Sequence, residues 1–237
     1  MLKSMTKGWR HFESEYITRT AKRVESPAFM LGTAIHAALL EPRVFAREYV
    51  TCPDECSDRR TKAYKEWAAL VDGRIILTTS ERAMIDRVCE SCIANASIER
   101  ILTASGQVEC EFFWHNEVGV DCRAKVDKAM PSVVVDVKTT EDATPQAFAR
   151  TIGMYRYDLQ AVHYLEATGA DTFLFLAVEK TEPFRARLYE LCQADLADAR
   201  EMRRELLIQY RSRLEANDWS EPNETEVQTL FLPSYLK

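Results

Sequence analysis

No stretch of this 237-residue sequence keeps apolar residues together for the roughly 18–20 positions needed to cross a bilayer. The first residues, Met1-Leu-Lys-Ser-Met-Thr-Lys-Gly-Trp-Arg, lack the apolar core of a signal peptide, so a cytoplasmic protein is expected. Disulfide rhythm is missing too. The seven cysteines, at 52, 56, 89, 92, 110, 122 and 192, are odd in number and irregular in spacing, and in a reducing cytoplasm they stay thiols. Cys52-x3-Cys56 and Cys89-x2-Cys92 can in principle clamp zinc, but the second pair falls in a helical pattern from about Ser80 to Asn95, where small buried cysteines are common. Positive charge is in deficit, with 31 Lys and Arg against 37 Asp and Glu for a net −6. That balance argues against indiscriminate coating of a polyanion, though not against a local basic track. Internal repeats, low-complexity tracts and a convincing interdomain linker are absent.

The remaining composition, 46% hydrophobic and 29% charged, is ordinary for a globular protein. It fits one domain over residues 1–237, with a helical segment at about 1–25 and a C-terminal helix and tail at about 194–237. The pattern predicts helices at about Ser4–Thr20, Ser26–Leu40, Arg59–Val71, Ser80–Asn95, Pro145–Ile152, Tyr157–Thr168 and Ala194–Asn217. Ser26 is the expected N-cap of the second, with Pro27 at its first position. Strands are expected near Tyr49 and at Ile75–Leu77, Gln107–His115, Val120–Lys128, Ser132–Thr139, Thr172–Glu179 and Arg185–Leu191. Their order makes a mixed α/β (α+β) fold with a central sheet flanked by helices.

One segment concentrates chemistry: Arg123-Ala-Lys-Val-Asp127-Lys-Ala-Met-Pro-Ser-Val-Val-Val-Asp136-Val-Lys138. A turn around Met130–Val133 pairs Asp127 with Asp136, and side-chain alternation puts Lys138 on the face of Asp136, opposite Val135 and Val137. Opposed residues on such a pair have Cβ atoms about 4.5–5.5 Å apart. Two carboxylates that close repel unless one is protonated or a cation lies between them. A hard cation with oxygen ligands, such as Mg²⁺, suits the place; exposed hairpin charges with a salt-bridging lysine are the bland alternative. Gln160 and Tyr164 share a helix face four residues apart, and His36 lies one turn beyond Gly32, whose missing side chain would allow close approach.

In their order, His36, Asp127, Asp136-Val137-Lys138, Gln160 and Tyr164 resemble the motifs of the PD-(D/E)XK nuclease superfamily. The resemblance is to the branch with the QxxxY signature, which includes RecB-type nuclease domains and lambda exonuclease, and most specifically to the exodeoxyribonuclease VIII (RecE-like) family of phages and prophages. It runs from about Ser26 to the end of the chain, through Gly32-Thr-Ala-Ile-His36-Ala-Ala-Leu-Leu-Glu-Pro42, Cys122-Arg-Ala-Lys-Val-Asp-Lys, Asp136-Val-Lys-Thr-Thr and Tyr155-Arg-Tyr-Asp-Leu-Gln160.

The resemblance implies a restriction-endonuclease-like core and an Mg²⁺-dependent exodeoxyribonuclease, with Mn²⁺ able to substitute and one or two ions per site. It implies metal ligation by His36, Asp127, Asp136 and the main-chain carbonyl of Val137. Lys138 would orient or deprotonate the attacking water, and Gln160 and Tyr164 would position water, lysine or DNA. An acidic residue on the preceding strand is implied in an outer-sphere or second-metal role, and Glu109 is preferred to Glu111. Substrates would be ends of linear double-stranded DNA, cut 5′ to 3′ to leave a 3′ overhang for a RecT-like annealing protein, in a ring-shaped homo-oligomer. Arg59, Arg60, Arg123, Lys125 and Arg156 are the cations expected to grip phosphates, together with Lys62 and Lys65. Lys125 stands where the enzymes it resembles tend to have arginine, which keeps the charge but loses a bidentate fork. A related endonuclease or repair nuclease, and a non-catalytic DNA-binding subunit, are the alternatives.

Overall fold

The protein is described here from a computed structural model covering residues 1–21, 27–71, 73–221, 227 and 229. The expected N-terminal helix is broken into α1 (Leu2–Lys7) and α2 (Trp9–Phe12), the latter continuing as a π turn over Glu13–Ile17. Gly8 breaks it: its φ of 135° suits no other residue, and a Cβ there would lie 2.3 Å from the Glu221 carboxylate. Helix α3 (Pro27–Leu40) follows; its expected cap, Ser26, lies outside the described residues, as do 222–226, 228 and 230–237 of the expected C-terminal tail.

Helix α4 (Pro42–Glu48), absent from the sequence expectation, leads into β1 (Tyr49–Thr51), which pairs in parallel with β2 (Ile75–Leu77). Between them α5 spans only Lys62–Ala68, because Thr61 stops the helix there by accepting the Tyr64 N–H. Helix α6 (Thr79–Ala94) begins one residue before the expected Ser80 and is capped by Thr78. Thr78 accepts from Glu81 N–H and its own N–H donates to the Glu81 carboxylate, a reciprocal box. A separate helix α7 (Ala96–Thr103) then starts where Asn95 caps Ser97 and Ile98.

The central sheet has the order β3 (Gln107–His115), β4 (Asp121–Ala129), β5 (Val133–Thr140), β6 (Thr172–Glu179), β7 (Ala186–Glu190). All neighbours are antiparallel except β5 and β6, which run parallel and are joined through α8 (Pro145–Tyr155) and α9 (Tyr157–Thr168). Burial on both faces explains the unbroken valine run of β5. Val134 lies with Phe173, Phe175 and the apolar side of α8 and α9, while Val135 and Val137 lie with Leu176 and the apolar side of α3 and α6. Helix α10 (Gln193–Ala216) packs along α9 and returns the chain to α1 and α2, where Met5, Trp9, Phe12 and Trp219 bury one another. Helices α3 and α9 therefore cover opposite faces of the sheet, and only a gap between strands brings their side chains together.

Candidate active site

That gap lies between β4 and β5. Met130 N–H donates to Val133 at 2.9 Å, closing the turn at the expected place, and Lys128–Val135 and Ala129–Val134 pair in the expected register. Pairing then ends. In a continued ladder Val137 N–H would meet a main-chain carbonyl of β4; instead it donates to Asp127 Oδ2 at 2.8 Å. Alternation in β4 fails at the same point. Ala124 and Val126 face α9, yet Lys128, two residues on, sends its ammonium to the Leu102 carbonyl at the end of α7. Glu109, on the neighbouring strand, has a left-handed φ of 51°, a cost of about 1–3 kcal/mol for a residue with a side chain.

These distortions gather ligands. Donor atoms of His36, Glu109 and Asp127 lie within 4.8 Å of one another, with His36 Nδ1 3.4 Å from Asp127 Oδ2. Two carboxylates and an imidazole fit a divalent cation. Glu109 rather than Glu111 supplies the third group; Glu111 is held by Arg123. His36 also bonds the Val137 main chain. Gly32 proves not to be required for this approach, since a Cβ there would sit 3.6 Å from Thr139 Oγ1, an ordinary contact.

Asp136 is 1% exposed and stands beside that trio rather than in it. Its Oδ1 accepts from Gln160 Nε2 at 2.9 Å. Its Oδ2 ion-pairs with Lys138 but receives no hydrogen bond of regular geometry. A buried carboxylate oxygen left in that state is suited to a cation. Burial and then repulsion from Asp136 push the Asp127 carboxyl far above the usual carboxylate range. Burial alone would lower Lys138, but Asp136 and Asp127 outweigh it and hold the ammonium above its ordinary value. Burial holds the imidazole of His36 below its usual pKa despite the attraction of Asp136. Burial and Asp136 push Tyr164 up to about 12, so it stays a phenol, and it hydrogen-bonds Gln160.

The cations expected to form a DNA track are, apart from Lys65, engaged with a carboxylate. Arg123 pairs with Glu111 and Lys125 with Glu109. Arg156 holds Asp158 at 2.7 Å. Arg59 bridges Glu81 and the Ile76 carbonyl beside the small β1–β2 sheet, and Arg60 turns back on Asp58; Lys62 pairs with Glu66 on the same helix. Lys125 therefore steadies a candidate metal ligand. Sequence reading passed over Tyr157, whose ring centroid is 4.6 Å from the Lys138 ammonium; its position three before Gln160 on one helix face was the available signal.

A mixed sheet whose strands part around two aspartates, with a lysine two residues past the second and a Gln/Tyr helix behind, defines a PD-(D/E)XK-like protein. The chain belongs to the family described as PDDEXK-like domain of unknown function (DUF3799), whose model matches residues 1–227. Its fold is similar to that of an inferred exonuclease from Eubacterium rectale, with TM-score 0.65, 15% identity, and 98% of this chain and 88% of that chain covered. A phage related exonuclease from Haemophilus somnus 129PT matches at TM-score 0.39 and 14% identity over 69% of this chain and 92% of that one, too slight a likeness to bear on the fold. No curated protein matches the chain.

Proposed function

We propose that this protein is an Mg²⁺-dependent exodeoxyribonuclease that hydrolyses linear double-stranded DNA from its ends. The carrying observation is the convergence of His36, Glu109 and Asp127 beside an Asp136–Lys138 pair in the parted β4–β5 gap. A divalent cation bound there would polarise the scissile phosphate and lower the pKa of its water toward neutrality. Asp127, Glu109 and His36 would hold that ion, with Asp136 and the Val137 carbonyl at its margin, and Mn²⁺ could replace Mg²⁺. Before any cation enters, Lys138 is an ammonium held by two carboxylates; it is placed to neutralise charge growing on the phosphate. Engagement of those carboxylates elsewhere would free the amine for proton transfer from water. Gln160 fixes the rotamer of Asp136, and Tyr164 keeps its proton to donate to the backbone of the substrate.

The finer reading is resection from 5′ toward 3′, leaving a 3′ overhang for a single-strand annealing protein, by a ring-shaped homo-oligomer threaded on the duplex. It is supported by the resemblance of the Gly32–His36, Asp127, Asp136–Lys138 and Gln160–Tyr164 motifs to the RecE-like enzymes.

The test is digestion of an end-labelled linear duplex, beside a closed circle of the same sequence, with and without Mg²⁺. Lys138→Ala should lower cleavage by about 10²–10³-fold or more, while cation binding is kept or tightened because two carboxylates lose their internal partner. Cleavage retained by the variant removes Lys138 from the chemistry. Cutting of the circle points to an endonuclease, and no cleavage by the wild type leaves a DNA-binding subunit.

A further inference from the structure

A cavity of about 430 Å³ opens beside Gln160 and Tyr164, inside the about 300–1,000 Å³ span of small-molecule clefts. Strand β4 and helix α9 form its floor, and α1 roofs it with Leu2, Lys3 and Met5. The proposed chemistry uses Gln160 and Tyr164 at its inner end and leaves Tyr155, Tyr157 and Lys3 without a role. The two tyrosines flank Arg156, the single left-handed residue (φ 54°) that joins α8 to α9. With one residue in that conformation both rings turn the same way and stack, centroids 5.5 Å apart and planes 18° from parallel. Arg156 is kept in place by two bonds to Asp158, at 3.0 and 2.7 Å.

The stack runs from the reacting centre toward solvent. Its inner ring, Tyr157, lies under the Lys138 ammonium. Its outer ring, Tyr155, is 43% exposed, and the Lys3 ammonium sits 3.9 Å from its centroid. An ammonium over an exposed ring is held weakly, and a phosphate is a stronger partner for it. Flat rings stacked in series, with a displaceable cation at the open end, match a base and its phosphate.

We infer that this cavity receives an unpaired nucleobase of the strand being cut, stacked on Tyr155, while Lys3 moves from the ring to the adjoining phosphate. The inference rests on the nuclease reading of the neighbouring site and adds to it a preference for a frayed or single-stranded end. A base inside a duplex already has both faces stacked on neighbours, and it must leave them to enter. The αL link and the Arg156–Asp158 fork are then what hold the platform, which gives Arg156 a positioning role in place of direct phosphate contact.

Binding of a fluorescein-labelled oligothymidylate to the full chain, measured by anisotropy in EDTA so that nothing is cut, tests this. Tyr155→Ala should bind about tenfold more weakly, and Tyr155→Phe like the wild type. An abasic residue walked along the oligonucleotide should cost the wild type the same factor at one position, and cost Tyr155→Ala nothing further there. The abasic series on the wild type needs no variant to fold. Equal binding by Tyr155→Ala, or indifference of the wild type to abasic residues at every position, overturns the subsite. Cleavage of linear duplex by the wild type is run alongside. Cleavage together with either of those results removes the subsite alone, whereas a position-specific abasic effect without cleavage supports the subsite and removes the nuclease reading.

Discussion

Glu109 combines two things that rarely coincide, a left-handed backbone in the interior of a strand and a carboxylate within ligand distance of His36 and Asp127. Strain of that kind persists only where its surroundings impose it. Glycine adopts the same φ without cost, so Glu109→Gly should leave stability within about 0.5 kcal/mol or raise it slightly, while weakening divalent-cation binding at least about tenfold. Urea unfolding and calorimetric titration of Mn²⁺ read the two effects separately. Loss of stability with unchanged titration would show that the carboxylate supports the fold and not a metal. Asp136 and Lys138 were legible in the sequence because alternation along one strand puts them on one face. Alternation gave no ground for preferring Glu109 to Glu111, since both lie on β3 at the same parity and the departure from regular backbone is invisible in a string of letters.

At the scale of elements, helix α9, which carries Gln160 and Tyr164, is fixed by a polar network that sequence patterning does not reveal. Buried Arg203 of α10 donates to His163 Nδ1 at 3.0 Å and pairs with Glu166, which also accepts from Trp114 Nε1 at 2.7 Å. With Nδ1 accepting from Arg203, the ring N–H of His163 is on Nε2, 3.1 Å from the Arg123 carbonyl. His163 is thereby required as the neutral imidazole, and burial drives its pKa down to about 4. A depressed histidine binds its proton in the unfolded chain first. Its contribution to stability is therefore present above about pH 6.5 and lost as pH falls toward 4, to a total of up to about 3 kcal/mol. His163→Gln should remove that slope. The measurement is the wild-type minus variant difference in urea midpoint across pH 4–7; a flat difference would show that the imidazole is free to charge in place. The network belongs to residues 114, 163, 166 and 203, and nothing in their spacing announces that two helices and a strand bring them together.

Across the whole molecule, α3 and α9 sit on opposite faces of the sheet, and the site exists because β4 and β5 separate enough for both to reach through. The separation crowds Glu109, Asp127 and Asp136 together, with Lys138 paired to Asp136 and Lys125 to Glu109. Asp127, with its raised pKa, makes the metal-free fold lose stability as pH rises through that raised value. A cation reverses this. At a hundred times its dissociation constant it should add about 2.7 kcal/mol, or about 5–10 °C in Tm for a chain of this size. The shift should be larger at pH 8 than at pH 5, where protons compete for Asp127. Thermal unfolding with Mg²⁺ or Mn²⁺ in the absence of DNA checks it, and an equal shift in Asp127→Asn would place the ion elsewhere.

The periodicities of the sequence by themselves determined the five central strands, the two helices between β5 and β6, and the hairpin register about the Met130–Val133 turn, although the expected pairing of Asp127 with Asp136 does not form because the ladder ends one step earlier. They did so because alternation and helical spacing are local and a short hairpin has one plausible register. Tertiary structure decided that pairing stops at Lys128–Val135, that His36 enters from one face and Gln160 from the other, and that Arg59, Arg60, Lys62, Arg123, Lys125 and Arg156 are held by carboxylates. Those outcomes depend on where two separate cores place their helices, a balance of packing and charge among residues far apart in the chain.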